Sequence, residues 1–495
     1  MPAPTAKPRD DVLANAIGKQ MREFIADANV LTEVEDLRPY ECDGLTAYRQ
    51  LPLLVVLPET VEQVQRALRL CTHLDVPVVA RGAGTGLSGG ALPLAGGIIL
   101  SLAKFNRIID IDRAARTARV QPGVRNLAIS EAAHAYGLYY APDPSSQIAC
   151  SIGGNVAENA GGLHCLKYGL TVHNIFEVEV ITIDGERITL GSAALDSAGY
   201  DLLALITGSE GLLAVIVEVK VKLLAKPVCA KVILAAFASV EAAGTAVGQI
   251  IAGGTIPAGM EMMDNFAIRA TDEFCQAGYP IDAAAILLVE LDGIEEEVDD
   301  QISAVRTVLE RCNATEIRVA RDDAERLRFW AGRKAAFPAA GRLSPDYYCM
   351  DGTIPRRELP TVLNAMDAMS SEYNLPIMNV FHAGDGNLHP LILYDANVPG
   401  EIERVEELGG KILDLCVEVG GTISGEHGVG VEKIDSMCTQ FSAHELDQFH
   451  AIKSAFDSKG LLNPGKAVPT LARCAEIGGM HVHQGNVPFP DIERF

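Results

Sequence analysis

Apolar and polar positions fall into two regimes along the chain. From Leu51, short apolar runs alternate with helical repeats. Leu54–Leu57 is a run closed by Pro58, and Thr60 and Gln63 stand three apart as a capping box. Val61, Val64, Leu68 and Cys71 recur at helical spacing before a second short run, Pro77–Ala80. A run of four apolar residues between turn formers suits a buried strand, so the pattern predicts strand–helix–strand, a βαβ unit. Strands are further expected near Ile98–Ser101 and at Thr117–Val120, Phe176–Ile183 and Ala214–Leu224, with helices over Leu127–His134 and near Tyr200–Ile206.

After Lys226-Pro227 the alternation changes. Val232–Phe237 and Ala285–Leu291 read as strands; Val240–Ala252, Ile294–Arg311, Ala324–Phe337 and Thr361–Tyr373 read as helices, and Ile377–Tyr394 contains strands. A β-α-β order with two long helices suggests a ferredoxin-like unit. The expected fold class is α+β. A helical arm occupies 1–50, a domain of two α/β subdomains 51–228, a ferredoxin-like α+β domain 229–425 and a C-terminal helical segment 426–495.

Composition narrows the function classes. The 495 residues are 48% apolar, 21% charged and 5% aromatic, which excludes global disorder. With 41 basic and 65 acidic side chains the net charge is −24, so nucleic acid is not an expected partner. No apolar stretch is long enough for membrane insertion. The 11 cysteines include no C-x-x-C, which points to a reduced, cytoplasmic chain of thiols without an iron–sulfur cluster.

Many of the 46 glycines cluster. Arg81-Gly-Ala-Gly-Thr-Gly-Leu-Ser-Gly-Gly90 contains Gly84-x-Gly86-x-x-Gly89, a dinucleotide fingerprint by letter. That fingerprint must open a helix, and here Gly89, Gly90, Pro93, Gly96 and Gly97 forbid one. A loop of inward backbone N–H groups cradling phosphate fits better; a plain flexible turn is the alternative. A second cluster, Ser151–Gly162, follows Pro142-Asp-Pro-Ser-Ser146. Asn155 and Asn159, four apart, would share a helical face and suit a planar heterocycle. A third, Gly208-Ser-Glu-Gly211, precedes a strand.

Asn379-Val-Phe-His-Ala-Gly-Asp-Gly-Asn-Leu-His-Pro390 carries the strongest chemical signal. Asp385-Gly386 as a two-residue hairpin turn would pair His382 with His389 on one face. Two such imidazoles suit one divalent cation; two surface histidines are the alternative. Ser424-Gly-Glu-His-Gly-Val-Gly430 offers Glu426 as third ligand and His427 as a base.

In order and spacing, the three glycine segments resemble the FAD-binding domain of the vanillyl-alcohol oxidase/p-cresol methylhydroxylase flavoprotein superfamily over residues 50–228. The resemblance implies that Arg81, Gly82, Ala83, Gly84, Thr85, Gly86, Ser88 and Gly89 hold the FAD pyrophosphate. It puts Pro144, Ser151, Gly154, Asn155, Asn159 and Gly161 along the flavin and Glu210 and Val215 on the adenine side. The first loop lacks the histidine that links flavin covalently in some members, so non-covalent FAD is expected.

The H-A-G-D-G-N-L-H-P and S-G-E-H-G motifs resemble the C-terminal domain of FAD-linked 2-hydroxyacid dehydrogenases. That implies a divalent metal, zinc first, on His382, His389 and Glu426, with His427 as base, Asn387 near substrate and Asn463 near the flavin. Phe329-Trp-Ala-Gly-Arg333 resembles the helix whose arginine holds the substrate carboxylate. Cys349 stands where dicarboxylate-specific relatives carry Lys, which argues for a small 2-hydroxy monocarboxylate. The Pro345–Pro355 run and Gly478–His483 most resemble glycolate-oxidising members. Those pass hydride to the flavin N5 within a complex containing an iron–sulfur subunit and a second flavin subunit. The implied location is cytoplasmic, peripheral at the inner membrane through those partners. A stand-alone D-lactate dehydrogenase and a non-catalytic flavoprotein subunit are the alternatives.

Overall fold

The computed structural model describes residues 9–194 and 198–470; the Gly478–His483 tail motif lies outside them. The first sheet holds β1 (Val30–Leu31), β2 (Leu54–Val56), β3 (Val78–Arg81) and β4 (Ile98–Ser101) in the order β1-β2-β4-β3. β2 and β3 each run parallel to β4, as the βαβ reading requires. The linking helix Val61–Leu74 starts on the expected capping box of Thr60 and Gln63 and buries Val64, Leu68 and Cys71. The N-terminal arm is not wholly helical. Its helix Asp11–Met21 packs Ala14, Ile17 and Met21 on the first sheet, and β1 then pairs antiparallel with β2.

A second sheet is antiparallel. β5 (Ile108–Asp112) and β6 (Thr117–Val120) pair, and β7 (Leu138–Tyr139) leaves for a separate ribbon. β8 (Ile175–Ile181), β9 (Arg187–Gly191) and β10 (Val215–Lys222) complete the order β5-β6-β10-β8-β9, and β11 (Leu224–Ala225) closes the ribbon with β7. The helix Ile152–Glu158 packs Ile152 and Val156 into the core of this sheet.

The second half builds on a seven-stranded sheet. β12 (Cys229–Phe237), β13 (Gly259–Asp264), β14 (Ala285–Gly293) and β15 (Glu316–Val319) stand in the order β15-β12-β14-β13. With helices Val240–Ala252 and Glu295–Arg311 this is the ferredoxin-like βαββαβ unit, carrying one inserted helix, Asn265–Cys275. β16 (Asp346–Cys349), β17 (Ile377–His382) and β18 (Pro390–Tyr394) extend the β13 edge in the order β17-β18-β16. The sheet is therefore larger than the expected unit.

The helix expected over Ala324–Phe337 divides into Asp323–Lys334 and Ala336–Leu343. Pro338 has no N–H to offer the Lys334 carbonyl and its ring would clash there, so the first helix stops at Lys334. The thiol expectation holds for nine cysteines from Cys42 to Cys416, which are free; Cys438 departs from it and is disulfide-bonded. After helix Ala443–Phe456 the chain returns to β3. Val78 N donates to Leu461 O and Asn463 N donates to Val78 O, both at 2.8 Å. Among the described residues no helix is long and apolar enough to cross a membrane.

Candidate active site

The β17–β18 hairpin brings the histidines together by a register other than the expected one. Asn379 pairs Pro390, and His382 pairs Asn387, not His389. The turn takes four residues, 383–386: Gly386 N donates to His382 O at 3.1 Å, and Asp385 Oδ1 accepts from Asn387 N. Gly386 has φ +82°, and a Cβ there would strike the Ile354 carbonyl, so glycine is required. The shift is two residues. A strand alternates faces with period two, so His382 and His389 still share a face. Their ring centroids are 5.0 Å apart.

Both rings are buried, and Nε2 of each lacks a hydrogen-bond partner. Glu426 Oε1 lies 3.4 Å from His382 Nε2 and 3.1 Å from His389 Nε2. Two imidazole nitrogens and a carboxylate oxygen converging on one point make a donor set that fits a divalent cation. The far side of His382 is held as metal-binding histidines require. Its Nδ1 lies 2.6 Å from Glu261 Oε1, so the N–H is directed to the carboxylate and Nε2 faces the site. Burial would lower the His382 pKa, but Glu261 and then Glu426 hold it well above the usual imidazole value. Burial would raise Glu426, and the two histidines reverse that and hold it well below the carboxylate range. The cluster thus demands positive charge, as protons or as a metal ion.

His427 stacks on His389 with ring centroids 4.9 Å apart and planes 1° from parallel. Burial pushes its pKa down to about 4, against the pull of Asp351, so the ring is neutral at pH 7. Its Nδ1 is buried without a partner. A neutral imidazole with a free nitrogen beside a cation site has the chemistry of a general base.

The first glycine cluster is a loop after β3, as expected, and no helix follows it. Arg81, Gly82, Ala83, Gly84, Thr85 and Gly86 face Ser151, Gly154 and Glu210 across a narrow cleft of about 100 Å³. A Cβ at Gly82 would strike Ser151 Oγ. The cleft adjoins a larger cavity of about 390 Å³ through Thr85, Gly86, Gly154 and Glu158. Pro144 and Asn155 line that cavity, and His389, Glu426 and His427 form its other wall. A glycine-walled cleft leading into a wider chamber fits a dinucleotide with a bulky ring system.

The remaining expected residues sit around this channel. Ser88 O accepts from Val431 N and Glu432 N, and Gly89 packs on Val431, so both serve the contact with the C-terminal segment. Asn159 does not share the helical face of Asn155. It is the left-handed cap of helix Ile152–Glu158, and its Oδ1 accepts from Val172 N. Gly161 makes room for Glu426, whose Oε2 occupies the place of its missing Cβ. Val215 is buried in the first core, behind the cleft. Asn463 Nδ2 donates to Gly90 O and Glu210 O, tying the C-terminal segment to the glycine loop. Asn387 lies on the hairpin with its Oδ1 3.5 Å from Thr353 Oγ1. Arg333 does not line the chamber; its Nε donates to Glu261 Oε2, and the next residue, Lys334, lines the chamber.

Sequence reasoning missed Glu261 and Glu158. The signal for Glu261 is a lone acid within the apolar run Gly-Met-Glu-Met-Met-Asp264. Glu158 lines both spaces, and burial and then Glu210 hold its pKa well above the carboxylate range.

Residues 226–467 match the profile of FAD linked oxidases, C-terminal domain, and residues 52–191 that of an FAD binding domain. The chain is 64% identical to glycolate oxidase subunit GlcD of Escherichia coli K12, over 98% of this chain and 97% of that one. It is 38% identical to glycolate oxidase subunit GlcD of Bacillus subtilis 168, over 88% and 93%. Against D-lactate dehydrogenase of Anaerostipes hadrus the identity is 31%, over 89% and 95%. Among solved structures, p-cresol methylhydroxylase superposes with a TM-score of 0.80 at 19% identity, covering 94% of this chain and 99% of that one, a likeness of fold.

Proposed function

The chain belongs to the FAD-linked oxidase family as an FAD-linked 2-hydroxyacid dehydrogenase, and from that premise we propose that it oxidises glycolate to glyoxylate. The observation that carries the reading is the chamber itself. One wall is the glycine-rich channel, and the other is His389, Glu426 and His427. FAD, held non-covalently along Arg81–Gly86, Ser151, Gly154 and Asn155, supplies the acceptor for two electrons and the α-hydrogen. A divalent metal, zinc first, on His382, His389 and Glu426 supplies positive charge for the substrate oxygens.

The protein's own residues do the rest. His427 takes the hydroxyl proton as the α-hydrogen leaves as hydride, which balances the two-electron oxidation. Arg333 is assigned to the substrate carboxylate through the N–H groups that Glu261 leaves free, an assignment that requires its side chain to reach past Lys334 into the chamber it does not line here. Cys349, where a second cation would stand, is buried and neutral, because burial holds its thiol pKa well above the usual value. That favours a monocarboxylate. Asn387, on the hairpin beside His382, orients the substrate. The proposed domain limits are those of the sequence reading, with 229–425 as the substrate domain.

The identity to GlcD subunits supports a place in a multi-subunit assembly. We assign electron transfer onward to an iron–sulfur subunit and a second flavin subunit, with peripheral location at the inner membrane through them. The test is anaerobic addition of glycolate to the purified chain. Bleaching of the flavin absorbance is expected; unchanged spectra with both glycolate and D-lactate would sink the proposal. Parallel kinetics on the two acids decide between glycolate oxidation and a stand-alone D-lactate dehydrogenase.

A further inference from the structure

Asp351 follows β16 and is fully buried. Its Oδ2 accepts from Ser424 Oγ at 2.7 Å, His427 N at 2.9 Å, Gly425 N at 3.1 Å and Glu426 N at 3.2 Å. Lys433 Nζ donates to the same oxygen at 3.1 Å. Three successive backbone N–H groups converging on one point form an anion nest. The nest is filled by a carboxylate of this chain more than seventy residues away in sequence.

Lys433 completes the arrangement. It is as buried as Asp351, and it also donates to Ser424 Oγ at 3.3 Å and to Gly428 O at 2.9 Å. Both ends of the 424–428 loop are therefore tied to one ion pair. Glu426 and His427 have their backbone N–H groups fixed by it, and their side chains leave from fixed Cα positions. The consequences are the two placements the chemistry needs: Glu426 Oε1 within 3.4 Å of both histidines, and His427 stacked on His389.

Asp351 also falls within metal-ligand reach of His389 and His427, with its Oδ1 3.5 Å from His389 Nε2. A ligand role competes poorly with the donors it already serves. A carboxylate has about four acceptor sites; five groups donate to Oδ2, and Oδ1, the oxygen that faces His389, already accepts from Glu426 N at 3.2 Å.

We infer that Asp351, paired with Lys433, is a positioning residue that holds the 424–428 loop so that Glu426 meets the metal and His427 meets the substrate. The inference rests on the metal and base roles given under Proposed function. It adds that these roles depend on a buried ion pair that touches neither substrate nor cofactor.

The test uses the FAD-loaded chain, titrated with Co2+ in the absence of substrate. Asp351→Asn alone leaves the buried Lys433 charge with Glu432, 3.6 Å away, as its remaining ion-pair partner, so the informative variant is Asp351→Asn with Lys433→Met. It is expected to keep FAD, to bind Co2+ ~10- to 100-fold more weakly, and to lose maximal rate more than KM on glycolate. Hydrogen exchange in the 424–430 segment should accelerate by at least about tenfold, since three amides exchange a charged carboxylate acceptor for a single neutral amide oxygen. Parent-like Co2+ affinity and exchange in the double variant would overturn the inference. Should that variant not retain FAD, Asp351→Glu carries the test: it keeps the charge and displaces it by one methylene. The same weakening is expected, and parent-like affinity again overturns it. If the parent itself binds no Co2+, the metal reading fails, and the exchange rates decide the positioning role alone.

Discussion

Arg333 and Glu261 form a fully buried ion pair, with Nε 2.7 Å from Oε2. The other oxygen of the same carboxylate faces His382 Nδ1 at 2.6 Å. One side chain from β13 thus couples the helix Asp323–Lys334 to the hairpin histidine. Breaking a buried pair leaves an uncompensated charge, so Glu261→Gln should cost about 3 to 5 kcal/mol of stability. Denaturant titration of the FAD-loaded chain measures it. Metal affinity should fall as well, because the imidazole exchanges its charged orienting acceptor for a weaker, neutral amide oxygen.

His427→Ala should leave FAD content and metal affinity intact while flavin bleaching by glycolate slows ~10²- to 10⁴-fold, the usual worth of a general base. Stopped-flow absorbance under anaerobic conditions reads the rate. A rate within threefold of the parent would remove His427 from the mechanism.

Lys334 is exposed at the end of its helix and lines the chamber. Lys334→Met should change stability by less than about 0.5 kcal/mol and raise the KM for glycolate several-fold. An unchanged KM would leave the carboxylate to Arg333 alone. Arg333→Met should raise KM too, with a stability loss from the unpaired Glu261.

Chelation should abolish bleaching while FAD stays bound, since the glycine channel and the histidine cluster are separate structures. Added zinc should restore the rate. Gly161→Ala should mimic partial chelation: its Cβ claims the place of Glu426 Oε2, so metal binding should weaken by about tenfold. Metal analysis of the variant together with its rate checks both halves of the prediction.

Burial raises the Asp264 carboxyl from 3.8 to about 6. The folded chain therefore holds that proton more tightly than the unfolded chain does. Its contribution to stability is fully present below pH 3.8 and is lost as pH rises through about 6. Asp264→Asn should flatten the stability profile across that window, as followed by thermal denaturation in a pH series. An unchanged slope would contradict the shift.

The first half was the more readable, for a physical reason. The helix Val61–Leu74 announces itself through a local capping box and a local repeat, and the glycine loop excludes a helix by its own composition. The hairpin was half readable. Period-two alternation keeps His382 and His389 on one face for any even shift of register, such as the two-residue shift found here. The true pairing, with Asn387 opposite His382, follows from a four-residue turn seated against Ile354, a distant contact. The break at Lys334 is signalled only by Pro338, because the apolar repeat continues through it.

Chain order alone was enough to suggest the chemistry: glycine segments that suit a dinucleotide, and two histidines and a glutamate that suit a cation. Such motifs depend on residue type and short spacing. What the folded molecule decided was which groups face the reacting space and which hold the others in place. Arg333 is drawn onto Glu261, Asn159 caps a helix, and Asp351 fills a nest of amides more than seventy residues along the chain. Buried charges must find partners wherever packing brings them, and that partner choice is set by three-dimensional proximity that no local pattern encodes.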